Sequence, residues 1–196
     1  EVDATALLAA RDALTSRLGL ERMSVTPLLL RATVLALEQH PGFNARFDVA
    51  SGEVTQYDSV HLGIATATDD GLMVPVLHDA HTFAVEDVVA QIRPLIAAAK
   101  ARTATPEQLG GGTFTVTNFG SFGTWLGTPI IRVPEVAIAG FGRIAPRAIV
   151  VEGAVVARPV LPIVVATDHR VNDGAHLGAF VSTLEQVIAG AERLVT

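Results

Sequence analysis

The sequence predicts a single α+β domain, a sandwich of helices and strands, and three observations carry that prediction. Four segments place apolar residues at helical spacing, scattered along the 196 residues without regular alternation with strands. The strand-like runs come mostly in pairs around short turn signals, which marks hairpins rather than βαβ crossovers. No repeat, low-complexity tract or linker divides the chain, and a chain of this length buries about 70% of the surface it exposes unfolded.

Each element has its own signal. Residues 3–18 open on a cap-like Asp3 and set Leu7, Leu8, Ala10, Leu14 and Leu18 largely on one face. Thr26 and Pro27 form a cap and first-turn pair for a second helix, through Leu37 and ending before Pro41. Strands at 43–49 and 54–57 flank Ser51-Gly52, and strands at 61–68 and 72–77 flank Asp69-Asp70-Gly71. Residues 85–101 form a third helix with Val88, Val89, Ile92, Leu95 and Ile96 in phase and a kink expected at Pro94. Strands follow at 113–117, 136–141, 148–151 and 155–166, the last two joined at Glu152-Gly153. A fourth helix runs from about Asp173 to Leu194.

Composition narrows the function. A net charge of −6 without a basic cluster disfavours nucleic acid and anionic membranes as partners. Mean hydropathy is high, +0.43. No apolar stretch reaches the ~18–20 residues of a membrane span, because Arg31, Pro159 and Pro162 break the longest candidates. Such a chain is expected to hide apolar surface against copies of itself. The absence of Cys removes disulfides, thiolate metal sites and a cysteine nucleophile.

Several short motifs fail on context. Gly140-Phe141-Gly142-Arg143-Ile144-Ala145 matches a dinucleotide fingerprint, but Pro146 and an apolar run replace the helix that the pyrophosphate requires. Gly110-Gly111-Gly112 lacks the Lys-Ser or Lys-Thr of a phosphate loop. Ser121 lacks the glycine two residues earlier that a nucleophile elbow needs; its glycine-rich loop reads as a pocket wall or a close backbone approach. His78 and His81 are read as a surface pair, since no third metal ligand accompanies them. His40, His61 and His176 fall in no interpretable arrangement.

Asp168-His169-Arg170-Val171-Asn172-Asp173-Gly174 is different. It joins an apolar strand to an amphipathic helix, where a histidine is held firmly and still reaches a ligand. Asp168 and Arg170 are placed to pair across it. The alternative is that Asp168, Arg170 and Asp173 only build the turn and cap the helix, with His169 incidental.

That motif resembles the active-site motif of the 2-oxo acid dehydrogenase acyltransferases. Other segments match in the same order: Glu1-Val2-Asp3 before a helix, Pro41-Gly42-Phe43-Asn44-Ala45, the hairpin from Gly63 through Val76, residues 112–123 with their strand and glycine loop, Thr128-Pro129-Ile130-Ile131, and Pro134-Glu135-Val136-Ala137-Ile138. The matches span the chain.

The resemblance implies a two-layer α+β sandwich like chloramphenicol acetyltransferase, with a mixed sheet and packed helices. It implies residues 1–196 as the catalytic domain, with lipoyl and subunit-binding domains outside this chain. The reaction implied is acyl transfer from S-acyl-dihydrolipoamide to coenzyme A, a substrate, with no metal. His169 is then the general base, and Thr117 is the hydroxyl that stabilises the tetrahedral intermediate from the adjacent subunit. Asp173 plays a supporting part. Asn118, Gly120 and Ser121 become candidate substrate contacts. A homotrimer is implied, sometimes built into a cage, with decarboxylase and dihydrolipoamide dehydrogenase components as partners. The compartment implied is the cytoplasm in bacteria or the mitochondrial matrix in eukaryotes. The acyl group implied is branched-chain or acetyl rather than succinyl.

The family attaches lipoate in an Asp-Lys-Ala turn of another domain. Here the only lysine is Lys100 in Ala99-Lys100-Ala101, on the third helix, so the lipoyl arm is expected from elsewhere. Two departures stand beside the histidine: Thr167 where an aromatic residue is frequent, and Asn172 where an apolar one is usual. The chain also lacks a longer leucine-rich tail after Leu194-Val195-Thr196, which puts cage assembly in question. Two other readings are a non-catalytic structural core, against which the presence of His169 and Thr117 argues, and a stand-alone acetyltransferase acting on small acceptors.

Overall fold

The computed structural model describes residues 1–195; Thr196, the last residue of the expected domain, lies outside them. Strand β1 (Val2–Asp3) leads into helix α1 (Thr5–Arg17), whose start is held by the Asp3 carboxylate accepting from the Thr5 N–H and hydroxyl. Asp3 thus anchors the helix from within a strand, and the helix opens at Thr5, two residues after the start expected at Asp3. Helix α2 (Thr26–Gln39) buries Leu28, Leu29, Leu30, Ala32, Thr33, Val34, Ala36 and Leu37, a pattern apolar nearly all round, so it runs through the centre of the helical layer. After it come β2 (Ala45–Phe47), β3 (Val54–Gln56), β4 (Leu62–Ile64), β5 (Thr66–Thr68), β6 (Gly71–Met73) and β7 (Val76–Leu77).

Helix α3 (Val85–Lys100) continues through the exposed Pro94 without a break in its assignment. A short α4 (Pro106–Leu109) follows, unforeseen but marked by a capping box between Thr105 and Gln108. The remaining elements are β8 (Phe114–Asn118), β9 (Ala137–Phe141), β10 (Ala145–Val151), β11 (Ala154–Leu161), β12 (Ile163–Thr167) and α5 (Gly174–Ala189). The last helix stops short of Leu194, because the chain tightens into a 3-10 turn at Ala191–Leu194 after Gly190.

The main sheet has strand order β12-β9-β8-β4-β7. β8 runs parallel to β9 and β4, while the outer pairs are antiparallel, so the sheet is mixed as expected. A second sheet, β1-β11-β10, and the hairpins β2–β3 and β5–β6 complete the fold. Prolines explain most departures from the predicted strands. The run 155–166 is two strands in different sheets, divided at Pro162, whose missing N–H interrupts the ladder. The run 72–77 divides around Pro75, and 61–68 divides at Ala65, sending Thr66–Thr68 into a hairpin of its own. Phe43 closes a 3-10 turn instead of opening a strand, which aims its ring at the core.

There Phe43 stacks on Phe180 of α5 with centroids 4.5 Å apart, and Phe114 of β8 and His40 each approach the same ring at 5.9 Å. Burying an aromatic side chain of this size stabilises a fold by roughly 1.5–3 kcal/mol. Phe180 therefore pins the helix that follows the Asp168–Gly174 turn onto the sheet. Among the described residues, no helix is long and apolar enough to cross a membrane.

Candidate active site

The turn that carries His169 leaves the end of β12 and is tied down on both sides. At its start, the Asp168 N–H donates to the Val136 carbonyl at 2.8 Å. The Asp168 carbonyl then accepts from the N–H groups of Val171 and Asn172, closing the turn. Across it, the Arg170 guanidinium donates to both oxygens of Asp168, at 2.9 and 2.6 Å, and lies over the Phe47 ring at 4.2 Å. Those bonds to Arg170 hold the Asp168 carboxyl below the usual carboxylate range. At its far end, Asp173 caps α5 by accepting from the Ala175 and His176 N–H groups, both at 2.9 Å. The His176 bond leads the effects that lower the Asp173 pKa, and the charge of His169 adds to them. The turn-building roles of Asp168, Arg170 and Asp173 are therefore real. They leave His169 exposed at the apex, its imidazole free of hydrogen bonds among the described residues.

Thr117 lies near the end of β8. Side chains alternate along the strand: Phe114 and Val116 enter the core and Asn118 donates to the Thr26 hydroxyl on α2, so Thr117 faces the other way, with Thr115. The sheet register fixes its distance from the histidine. Thr117 pairs with Gly140, and Gly140 pairs with Val164, whereas His169 lies five residues beyond Val164. At ~3.3 Å per residue and ~4.8 Å per strand, the two are on the order of 19 Å apart. One copy of this chain does not bring Thr117 and His169 together.

The other candidates gather at Thr117's end of the sheet. The Ser121 hydroxyl donates to the Asn118 carbonyl at 2.7 Å, shaping the loop. A Cβ on Gly120 would run into the Gly142 carbonyl, and one on Gly142 into that of Trp125, so two backbones touch where both residues are glycine. Gly142, the second glycine of the failed dinucleotide motif, serves that contact; strand β10 follows it, and no helix begins there. His78 and His81 face separate partners, the Glu107 carbonyl and the Val60 N–H. Among the described residues no group of three or more His, Asp or Glu is placed to hold a metal ion.

One feature was hidden in the sequence. Arg11, Arg22 and Arg143 line an open groove of about 800 Å³ together with Ser24, Thr26, Asn118, Gly120 and Ser121. Among the described residues no carboxylate lines it, in a chain whose net charge is −6; Arg11 pairs with Asp12 beside it, so Arg22 and Arg143 carry most of its positive character. The three arginines come from α1, the segment before α2 and the segment after β9, so no local cluster announces them. Such a groove attracts a polyanion.

Comparison with known proteins shows the family of the chain. Residues 1–196 match the family model described as 2-oxoacid dehydrogenases acyltransferase (catalytic domain). The lipoamide acyltransferase components of the branched-chain alpha-keto acid dehydrogenase complexes of Pseudomonas putida and Pseudomonas aeruginosa are 38% and 40% identical over 190 residues. That is 96% of this chain but 45% and 44% of theirs, so the chain spans less than half the length of these relatives. Two solved structures superpose with a TM-score of 0.92, over the whole chain and 81% of their own. They are the Azotobacter vinelandii dihydrolipoamide acetyltransferase, 28% identical, and the cubic core of a pyruvate dehydrogenase multienzyme complex, 29% identical. A chloramphenicol acetyltransferase superposes at 0.62 over 95% of this chain and 85% of its own, with 19% identity, and shares the fold.

The Asp168–Arg170 pair gives a pH-dependent expectation. A carboxyl whose pKa is depressed by folding stabilises the fold above its ordinary range, and that contribution disappears as pH falls through the depressed value. Arg170→Met should therefore lower the melting temperature at about pH 7, and the gap to wild type should narrow towards about pH 3. The part that persists at low pH reports the lost contact with Phe47. A gap of constant size across thermal melts over this range contradicts the ion-pair role.

Proposed function

The chain belongs to the family of 2-oxoacid dehydrogenase acyltransferase catalytic domains, and we propose that it transfers an acyl group from S-acyl-dihydrolipoamide to coenzyme A. The observation that carries this reading is a matched spacing. The mechanistic work on the Azotobacter vinelandii enzyme concerns a serine 52 residues before a histidine and an asparagine four residues after it. Thr117, His169 and Asp173 have the same spacings here, with threonine for serine and aspartate for asparagine.

The residues suit the chemistry. His169, exposed and without a hydrogen bond on its ring among the described residues, is free to accept the proton of the CoA thiol, whose pKa of about 8.5 leaves it mostly protonated at neutral pH. The thiolate then attacks the acyl-lipoyl carbonyl. A C–S bond forms, and the carbonyl oxygen becomes an oxyanion towards which the Thr117 hydroxyl donates; one such donor contributes roughly 2.7–4 kcal/mol. Collapse breaks the C–S bond to the lipoyl sulfur, which recovers the proton from the imidazolium. The Asp173 carboxylate, kept ionised by the α5 amides, favours the charged imidazolium. Both thiols arrive as substrates, and the chain has no Cys of its own.

Since the register separates Thr117 from His169, the working site combines Thr117 of one subunit with His169 of another, in a homotrimer. Residues 1–196 form the catalytic domain, and the lipoyl arm comes from outside them, since Lys100 ends α3. The arginine-lined groove, which shares Asn118, Gly120 and Ser121 with the Thr117 loop, is the place for the phosphates of CoA. Docking of decarboxylase and dihydrolipoamide dehydrogenase components, a setting in the cytoplasm of a bacterium or the matrix of a mitochondrion, and a branched-chain or acetyl rather than succinyl donor complete the reading, with sedimentation separating a trimer from a cage.

His169→Ala should fold normally and lower acyl transfer from S-acyl-dihydrolipoamide to CoA by at least ~100-fold. Near-normal turnover would remove the general base from this position. Thr117→Ala should reduce kcat more than it weakens CoA binding; a loss confined to affinity counts against stabilisation of the oxyanion.

Replacing Arg22 and Arg143 by Ala should raise KM for CoA by about tenfold or more, without changing KM for pantetheine, a thiol acceptor lacking the phosphates. Equal effects on the two acceptors would place the phosphates elsewhere. Comparing acetyl-, isobutyryl- and succinyl-dihydrolipoamide in the same assay identifies the acyl group.

A further inference from the structure

Residues 167 and 172 bracket the His169 turn, and the structure couples them. The Asn172 amide nitrogen donates to the Thr167 hydroxyl at 3.2 Å and to the Gly42 carbonyl at 3.0 Å. The Thr167 hydroxyl in turn donates to the Val136 carbonyl at 3.2 Å, the same oxygen that accepts from the Asp168 N–H. Asn172 is 4% exposed, a buried polar side chain whose amide nitrogen finds both of its acceptors inside the fold. The two residues meet in one hydrogen-bonded chain. It runs from the end of the turn, through the hydroxyl, to the sheet, with a branch to the segment between α2 and β2.

We propose that Thr167 and Asn172 together are positioning residues for His169. Neither touches the reacting atoms. The imidazole has no hydrogen bond of its own among the described residues, so its location follows from the backbone of residues 168–172. Asp168 and Arg170 hold the start and middle of that segment, and Asp173 fixes the helix beyond it. The end of the turn itself is held through Asn172. Apolar packing at these two positions would constrain the turn by volume alone. A buried amide whose nitrogen bridges two acceptors constrains its direction as well, because losing the Thr167–Asn172 bond removes the link between the end of the turn and the sheet while each group keeps only its outer partner. Small misplacements of a catalytic group cost turnover before they cost binding.

The inference rests on His169 as general base, and the experiment separates the two. Acyl transfer to CoA is measured for His169→Ala, Thr167→Val, Asn172→Leu, the Thr167→Val/Asn172→Leu double variant and Thr167→Ser, with folding and trimer formation checked by circular dichroism and sedimentation. Thr167→Val and Asn172→Leu should each lower kcat about tenfold or more, with KM for both substrates within about twofold of wild type. The double variant should be no more than about twofold worse than the weaker single variant, because both break the same chain. Thr167→Ser, which keeps the hydroxyl, should recover at least about half of the wild-type kcat. An inactive His169→Ala beside single variants with wild-type kcat overturns the positioning role and leaves the base in place. So do losses that multiply in the double variant. An active His169→Ala overturns the reading beneath it. If Asn172→Leu does not fold, the contrast between Thr167→Val and Thr167→Ser decides the matter: equal activity in the two refutes the proposal.

Discussion

The hydrogen-bond register of the main sheet is the constraint on which the functional arrangement depends. Thr117 on β8 is level with Gly140 on β9 and Val164 on β12. His169 leaves β12 at the opposite end of the sheet. Because a one-residue slip in a strand turns every side chain to the other face, this register also decides which face Thr117 presents. Core residues lock it: Phe114, Val116, Ala139 and Phe141 are buried against the helical layer, and Phe180 of α5 packs on Phe114. The two chemical groups are thus held rigidly, and held apart. If both groups act in one reaction, as proposed, the catalytic unit is more than one copy of the chain.

The apolar character of the sequence takes on a structural meaning in that light. Leu126, Ile130 and Val133, beyond the Thr117 loop, remain exposed, as do Val150 and Val155 on the β10–β11 hairpin. These are surfaces that a trimer of the proposed kind has reason to cover. At the Thr117 end of the sheet, the glycine contact between residues 120 and 142 brings two backbones together. The same loops wall the arginine-lined groove, which therefore lies at the Thr117 end of the sheet, on the face that Asn118 rather than Thr117 presents.

Much of this was legible in the sequence, and what was not has physical reasons. The four long helices show themselves by their apolar spacing, and α5 begins where Asp173 said it would. Strand boundaries were less visible because Pro75 and Pro162 sit inside continuous apolar runs, where composition reports burial but not which sheet a segment joins. The order of the main sheet depends on pairings between residues far apart in the chain, such as Thr115 with Ile138 and Gly63 with Thr115, which no local pattern encodes. Around His169 the contiguous motif exposed the turn and its ion pair. Thr167 and Asn172 were visible only as two unrelated oddities, because their hydrogen bond closes over five residues of turn. Arg11, Arg22 and Arg143 lie more than ten residues apart, and only folding makes them neighbours.

The central claim, that the active site joins Thr117 of one subunit to His169 of the next, is tested most directly by subunit mixing. Thr117→Ala and His169→Ala chains, each nearly inactive alone, are dissociated, mixed and reassembled, and acyl transfer to CoA is measured. Mixed trimers contain interfaces with an intact Thr117 on one side and an intact His169 on the other, so activity should rise well above that of either variant reassembled alone. If mixed trimers form and stay as inactive as their parents, the two residues do not share a site across subunits.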